Sequence, residues 1–155
     1  MNEMNEKNYE LRQLVERYMA AYFVLFKKLN VQIGEMIQDE ATLDQYQIID
    51  YIATHENGTS TELADAFSVG KSSITAIITR LVDRGIIERT RDVQDRRVVY
   101  LSLTERGRML YSKMQGSIID MLSTYMGHFT KEEIDSFIKP FEKLAKLVEE
   151  GNPGI

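Results

Sequence analysis

Cysteine is absent from the 155-residue sequence. That single absence excludes disulfide staples, thiolate metal sites, a cysteine nucleophile and a thiol redox switch. Long hydrophobic runs are missing too: uninterrupted apolar stretches reach only a few residues, against the roughly 20 that a membrane span needs. No transmembrane helix and no membrane partner are expected. The N-terminal stretch MNEMNEKNYELRQ is polar and acidic, without the basic and apolar regions of a secretory signal, so a cytoplasmic location is expected. Proline occurs twice, once in the tail GNPGI, which should fray, and once at Pro140. No internal repeat or low-complexity tract is present. With 43% hydrophobic residues the chain can bury a core, and its length suits one domain spanning residues 1–155.

Groups suited to catalysis are equally scarce. His55 and His128 are the two histidines, and neither stands in a nucleophile or metal-ligand spacing. The neighbouring carboxylates Asp39 with Glu40 and Glu132 with Glu133 suit helix ends, where the latter pair favours the positive end of a helix dipole. The expectation is a protein that is not an enzyme, with no catalytic residue, no metal and no cofactor. Net charge is -5, yet residues 71–108 hold nine Lys or Arg against five Asp or Glu. One basic segment between acidic flanks is what an electrostatic footprint on phosphate needs, although a solvated helix face would look the same by charge alone.

What is present is mostly helical periodicity. Leu11, Leu14, Val15, Tyr18, Tyr22, Leu25, Phe26, Leu29 and Ile33 recur at three- and four-residue steps, predicting a long amphipathic helix that needs a partner surface. Thr42 with Gln45 reads as a capping box before the stripe Tyr46, Ile49, Ile52, Ala53, which Asn57 and Gly58 should stop. Thr59 with Glu62 opens a short helix carrying Leu63, Ala64 and Phe67. Ser68, Val69 and Gly70 break it, and Ile74, Ile77, Ile78 and Leu81 start another that Gly85 should end. The period then changes. IIERTR and VVYLSLT are rich in β-branched residues and flank the polar DVQDR, which predicts a hairpin with a projecting loop. Thr104 can cap a following helix bearing Leu110, Tyr111, Met114, Ile118, Met121, Leu122 and Tyr125. Thr130 with Glu133 opens a last one, with Ile134, Phe137, Ile138, Phe141, Leu144 and Val148, which Pro140 should kink.

The order of elements predicts a mainly α fold with a small β-wing, a winged helix-turn-helix flanked by long N- and C-terminal helices. The second helix of such a motif enters a DNA major groove about 12 Å wide, where outward side chains reach base edges. Ser72, Ser73, Thr75, Ala76 and Thr79 lie opposite the apolar stripe. They are short enough for close backbone approach, and the hydroxyls can bond bases or phosphates. Lys71, Arg80 and Arg84 add positive charge along the same helix.

The stretch DRRVVYLSLTERG, with Asp95, Arg97, Leu103 and Thr104 spaced as Asp, any residue, Arg, five residues, Leu, Thr, resembles the wing of the multiple-antibiotic-resistance regulator (MarR) family. LVDRGIIER before it and the helix order extend the resemblance over most of the chain. The resemblance implies a sequence-specific regulator of transcription that binds double-stranded DNA as a homodimer. It further implies that Arg97, beside Asp95, enters a minor groove, that Arg96 lies near phosphate, and that helix 71–84 reads the major groove. The helix-turn-helix lobe would span residues 42–104, with its first helix at 59–67 and its wing at 86–104, and helices at 9–36 and 105–150 would form the dimer. Ala76 and Thr79 depart from the longer polar and the acidic residues common there in the family, so the base contacts belong to this chain alone.

Repression by blocking a promoter is the mode the resemblance implies, while the sequence leaves repressor and activator both open. A small-molecule effector is possible in a pocket of helix aromatics, but core packing explains the same residues, and no ligand-binding residue is assigned. The competing class is a winged helix that binds another protein. Arg96, Arg97 and the basic central segment weigh against it, because a protein-binding surface requires neither.

Overall fold

The computed structural model of the protein describes residues 3–55, 58–67 and 70–151. The expected helix stop at Asn57, the break at Ser68 and Val69, the tail from residue 152 and the side chain of Lys71 lie outside the described residues. The elements run α1 (Glu3–Ile37), α2 (Leu43–Thr54), α3 (Ser60–Ala66), α4 (Lys71–Asp83), β1 (Ile87–Arg91), β2 (Val99–Leu103), α5 (Glu105–Met126) and α6 (Lys131–Glu149). The fold is mainly α with one two-stranded antiparallel sheet. The chain divides into two compact units, Met1–Gln115 and Gly116–Ile155.

Local chemistry sets the helix starts. At Thr42/Gln45, Thr59/Glu62 and Thr130/Glu133 the threonine hydroxyl accepts from the backbone N–H three residues on, and the Gln or Glu side chain accepts from the threonine N–H in return. Each box satisfies two backbone donors that the first turn would leave orphaned. The end of α4 is equally well defined. Gly85 adopts φ 68, its N–H donates to Val82 O at 2.8 Å, and the N–H of Ile86 reaches back to Leu81 O at 2.9 Å. This is a Schellman closure, sealed by the fully buried pair Leu81 and Ile86.

In the first unit the core gathers Ile48, Ile49 and Ile52 of α2, Leu63 of α3, and Ile74, Ile78 and Leu81 of α4, all buried. Each such side chain contributes about 1.5–3 kcal/mol by leaving water. Ile87 and Leu101 bring the sheet into this core. β1 and β2 pair from Ile87 opposite Leu103 to Arg91 opposite Val99. The outer edge of β2 is covered by the α2–α3 connection, through a bridge between Thr59 and Tyr100 and a bond from Leu101 N–H to Gly58 O at 2.9 Å. That cover removes an exposed strand edge.

α5 starts from a tight joint. Thr104 caps it by accepting from Gly107 N–H at 3.0 Å, while its hydroxyl proton points to Gly85 O at 2.6 Å. Further along, the Tyr111 hydroxyl donates to Asp50 of α2 at 2.9 Å. Burial, then the Asp50 carboxylate, push the Tyr111 phenol up to about 12. Because the folded value lies above the ordinary 10, this contribution to stability is complete below pH 10 and declines as pH rises from about 10 to 12. Tyr111→Phe is expected to cost about 1 kcal/mol at neutral pH and to flatten the stability profile in that alkaline window, as urea unfolding at several pH values would measure.

The long helices keep apolar stripes in the open. On α1, Leu11, Leu14, Tyr22 and Phe26 are exposed, and Tyr18, Tyr22 and Phe26 stack with ring centroids 6.0 and 5.5 Å apart. α6 buries none of its residues. Its Phe137, Phe141 and Leu144 are exposed, and the helix runs unbroken through Pro140.

Candidate nucleic-acid interface

The spacing of α4 decides what it presents. Ile74, Ile78 and Leu81 are buried, so the opposite face carries Ser72, Thr75, Ala76 and Thr79, all exposed, with Ser73 and Arg80 exposed along its flank. These positions recur at three- and four-residue steps and form one continuous strip. Apart from Arg80 on the flank it holds no side chain longer than threonine, so a groove can approach the backbone closely.

Arg84 departs from the expectation. It follows the last turn of α4, and, although the residue is exposed, its guanidinium donates to Glu40 O at 2.6 Å and to Gln45 Oε1 at 3.2 Å. It belongs to the junction between α1 and α2 and not to the outward strip. Arg89 is a residue the sequence reading missed. From β1 it donates to the Thr79 hydroxyl at 3.1 Å, which joins the wing to the recognition helix and leaves that hydroxyl its own proton to give. Its signal was available in the strand period, because Arg89 lies two residues from the buried Ile87 and so shares its face of the sheet.

The wing is ordered by two aspartates. Asp92 accepts from the backbone N–H groups of Gln94 and Asp95, both at 2.7 Å. These two bonds, joined by one from the Tyr100 phenol, hold its carboxyl below the usual range. Asp95 grips Arg97 three ways: from the Arg97 backbone N–H at 3.0 Å, from Nε at 3.1 Å and from Nη2 at 3.3 Å. The Arg97 bonds likewise lower the Asp95 carboxyl. Both carboxylates therefore stay ionised, and the wing stays tied, throughout the neutral range. Although gripped, the Arg97 side chain is 92% exposed, and its planar fork stands out from the wing with Arg96 and Val93 also exposed beside it. A guanidinium held in one orientation and bare to solvent is suited to bind an acceptor outside the protein.

A small-residue strip on one helix and an oriented arginine on a hairpin bonded to that helix through Arg89 and Thr79 are both exposed. The family model described as MarR family matches residues 41–99, which cover α2, α3, α4, β1 and the wing loop. Over these residues the chain resembles the MarR family. The chain is 26% identical over 138 residues to the HTH-type transcriptional repressor MdtR of Bacillus subtilis (strain 168), a match covering 88% of this chain and 89% of that one. The YusO protein of Bacillus subtilis has a similar solved structure, with TM-score 0.63 and 26% identity over 87% of this chain and 96% of that chain. Streptococcus pneumoniae FabT, solved in complex with DNA, has a similar fold, with TM-score 0.70 and 24% identity over 90% of this chain and 98% of that one.

Proposed function

We propose that the protein is a repressor of transcription that binds an inverted-repeat site on double-stranded DNA as a homodimer. The observation that carries this reading is the Asp95–Arg97 fork on the wing, held ready beside the outward strip of α4. In this reading Ser72, Ser73, Thr75, Ala76 and Thr79 face the major groove. Lys71, Arg80 and Arg96 meet phosphate, and Arg97 enters the adjoining minor groove, where a narrow groove concentrates negative potential. The relative named as a transcriptional repressor and the fold neighbour seen with DNA support it.

Dimerisation is read from the exposed stripes of α1 and α6, whose large apolar side chains exceed what a lone soluble chain normally leaves in water. No described helix is long and apolar enough to cross a membrane, so the partner that covers these stripes is taken to be a second copy. The lobe also holds an open cavity of about 480 Å³ between α2, β2 and the start of α5, lined among others by Ile52, His55, Leu103, Arg108 and Tyr111. A small-molecule effector would find room there.

Selection from a random-sequence DNA pool tests the function directly. The enriched duplexes are expected to be inverted repeats whose half-sites lie about one helical turn, roughly 34 Å, apart, because two-fold protein symmetry must be matched on the duplex. Equal affinity for a single half-site and the full repeat, or a folded monomer in sedimentation at micromolar concentration, would overturn the dimeric reading.

A further inference from the structure

We propose that Arg84 is a positioning residue: it sets the angle of the recognition helix by mooring the C-terminal end of α4 to the junction between α1 and α2, and it contacts no phosphate. The inference rests on the DNA-binding reading above. Arg84 is the C-cap of α4, with its own N–H bonded to Arg80 O at 3.1 Å, so its side chain marks where the helix axis ends.

Both branches of the guanidinium are used there. One donates to Glu40 O at 2.6 Å, just past α1, and the other to Gln45 Oε1 at 3.2 Å, in the first turn of α2. The two acceptors are themselves fixed. Gln45 Oε1 also accepts from Thr42 N–H at 3.2 Å in the capping box, and the Glu40 carboxylate pairs with Lys113 of α5. The end of α4, the α1–α2 connection, the first turn of α2 and Lys113 of α5 are thus linked through one guanidinium and its acceptors. The fork geometry matters, because only a planar group with several donors can reach a carbonyl and an amide oxygen together.

Lever arithmetic gives the consequence. Buried Ile74, Ile78 and Leu81 and the Gly85 closure hold α4 against the core, and the two Arg84 bonds add directional restraint that non-directional apolar burial does not supply. At 1.5 Å per residue, Ser72 lies roughly 18 Å up the axis from Arg84, so a pivot of about 10° would carry it about 3 Å sideways. A hydrogen bond to a base edge fails well within that displacement. The end of the helix farthest from Ser72 therefore decides whether Ser72 and Thr75 reach their bases.

The test separates mooring from phosphate contact by salt. The probe is a duplex selected by the parent protein from a random pool, titrated across a series of salt concentrations, with circular dichroism recorded on each variant. Arg84→Ala is expected to weaken binding about tenfold at every salt concentration, the scale of a residue acting through others. The slope of log affinity against log salt should stay that of the parent. Arg84→Lys keeps the charge without the fork and should remain weakened.

Gln45→Ala, an uncharged change in α2, should also weaken binding, and adding it to Arg84→Ala should cost little more. Gln45→Glu keeps both the cap and the acceptor and should bind as the parent does. A slope reduced by about 0.9, the amount for one lost phosphate contact, together with recovery in Arg84→Lys, would overturn the proposal. So would parent-like binding by Arg84→Ala. If Arg84→Ala does not fold, the contrast between Gln45→Ala and Gln45→Glu decides by itself, and equal binding by those two counts against the mooring. A parent protein that selects no duplex overturns the functional reading and this one with it.

Discussion

Gly107→Ala is expected to destabilise the protein by about 3 kcal/mol, the upper part of the range for forcing extra volume into a packed site. A Cβ at this position would lie 2.1 Å from Ile86 O and 3.4 Å from the Ile86 Cγ2. The carbonyl cannot step aside, because it already accepts from Thr104 N–H at 3.0 Å and forms part of the joint between the end of α4 and the start of β1. The whole first turn of α5 must move instead, which would break the cap from Gly107 N–H to the Thr104 hydroxyl. Against a typical total of roughly 5–15 kcal/mol, that loss is large. Urea or thermal unfolding measures it, with Gly116→Ala on the same helix as the control, since nothing lies within 4 Å of a Cβ there. Equal stability of the two variants would show that the joint yields.

Arg97→Ala is expected to weaken binding to a selected duplex roughly 5- to 100-fold at fixed salt, the range for a good specific contact. Fold and assembly should be unchanged, because the side chain is 92% exposed and its partner is Asp95 of the same wing. The effect should be steady across neutral pH, since the Arg97 bonds hold the Asp95 carboxyl below its usual range and the fork stays tied until the solution is distinctly acidic. Ser72→Ala and Thr75→Ala should shift which sequences are preferred more than they weaken binding overall. The major groove distinguishes all four base pairs, whereas the minor groove separates little beyond A·T from G·C. Titrations of selected and scrambled duplexes, with circular dichroism on each variant, check both statements. Tight binding by Arg97→Ala would remove the wing from the interface.

Thr42, Thr59, Thr130, Gly85 and the alternation of VVYLSLT could be read without coordinates, because caps, C-terminal glycines and strand periods act over three to six residues and leave their mark in local spacing. Helix α4 was legible for the same reason. Its apolar stripe fixes a buried face, and the strip of Ser72, Thr75, Ala76 and Thr79 is what remains opposite. Arg97 and Asp95 stood two residues apart within one loop, so their pairing also needed no tertiary knowledge. Arg84 shows where that reasoning stops. Its charge at the end of α4 placed it with the residues expected to meet DNA, while its two acceptors come from residues 44 and 39 positions earlier in the chain.

By itself, then, the sequence determined the order of elements, the ends of most helices, the buried face of α4 and the charge and chemistry of the wing. All of these are set by contacts between near neighbours. The tertiary structure alone decided that Arg84 serves the α1–α2 junction, that Arg89 joins the wing to Thr79, that Tyr111 ties α5 to Asp50, and that Gly107 must lack a side chain. Each of those depends on which distant backbone or side chain lies across the gap, a distance that only the packing of the elements fixes and no local pattern encodes.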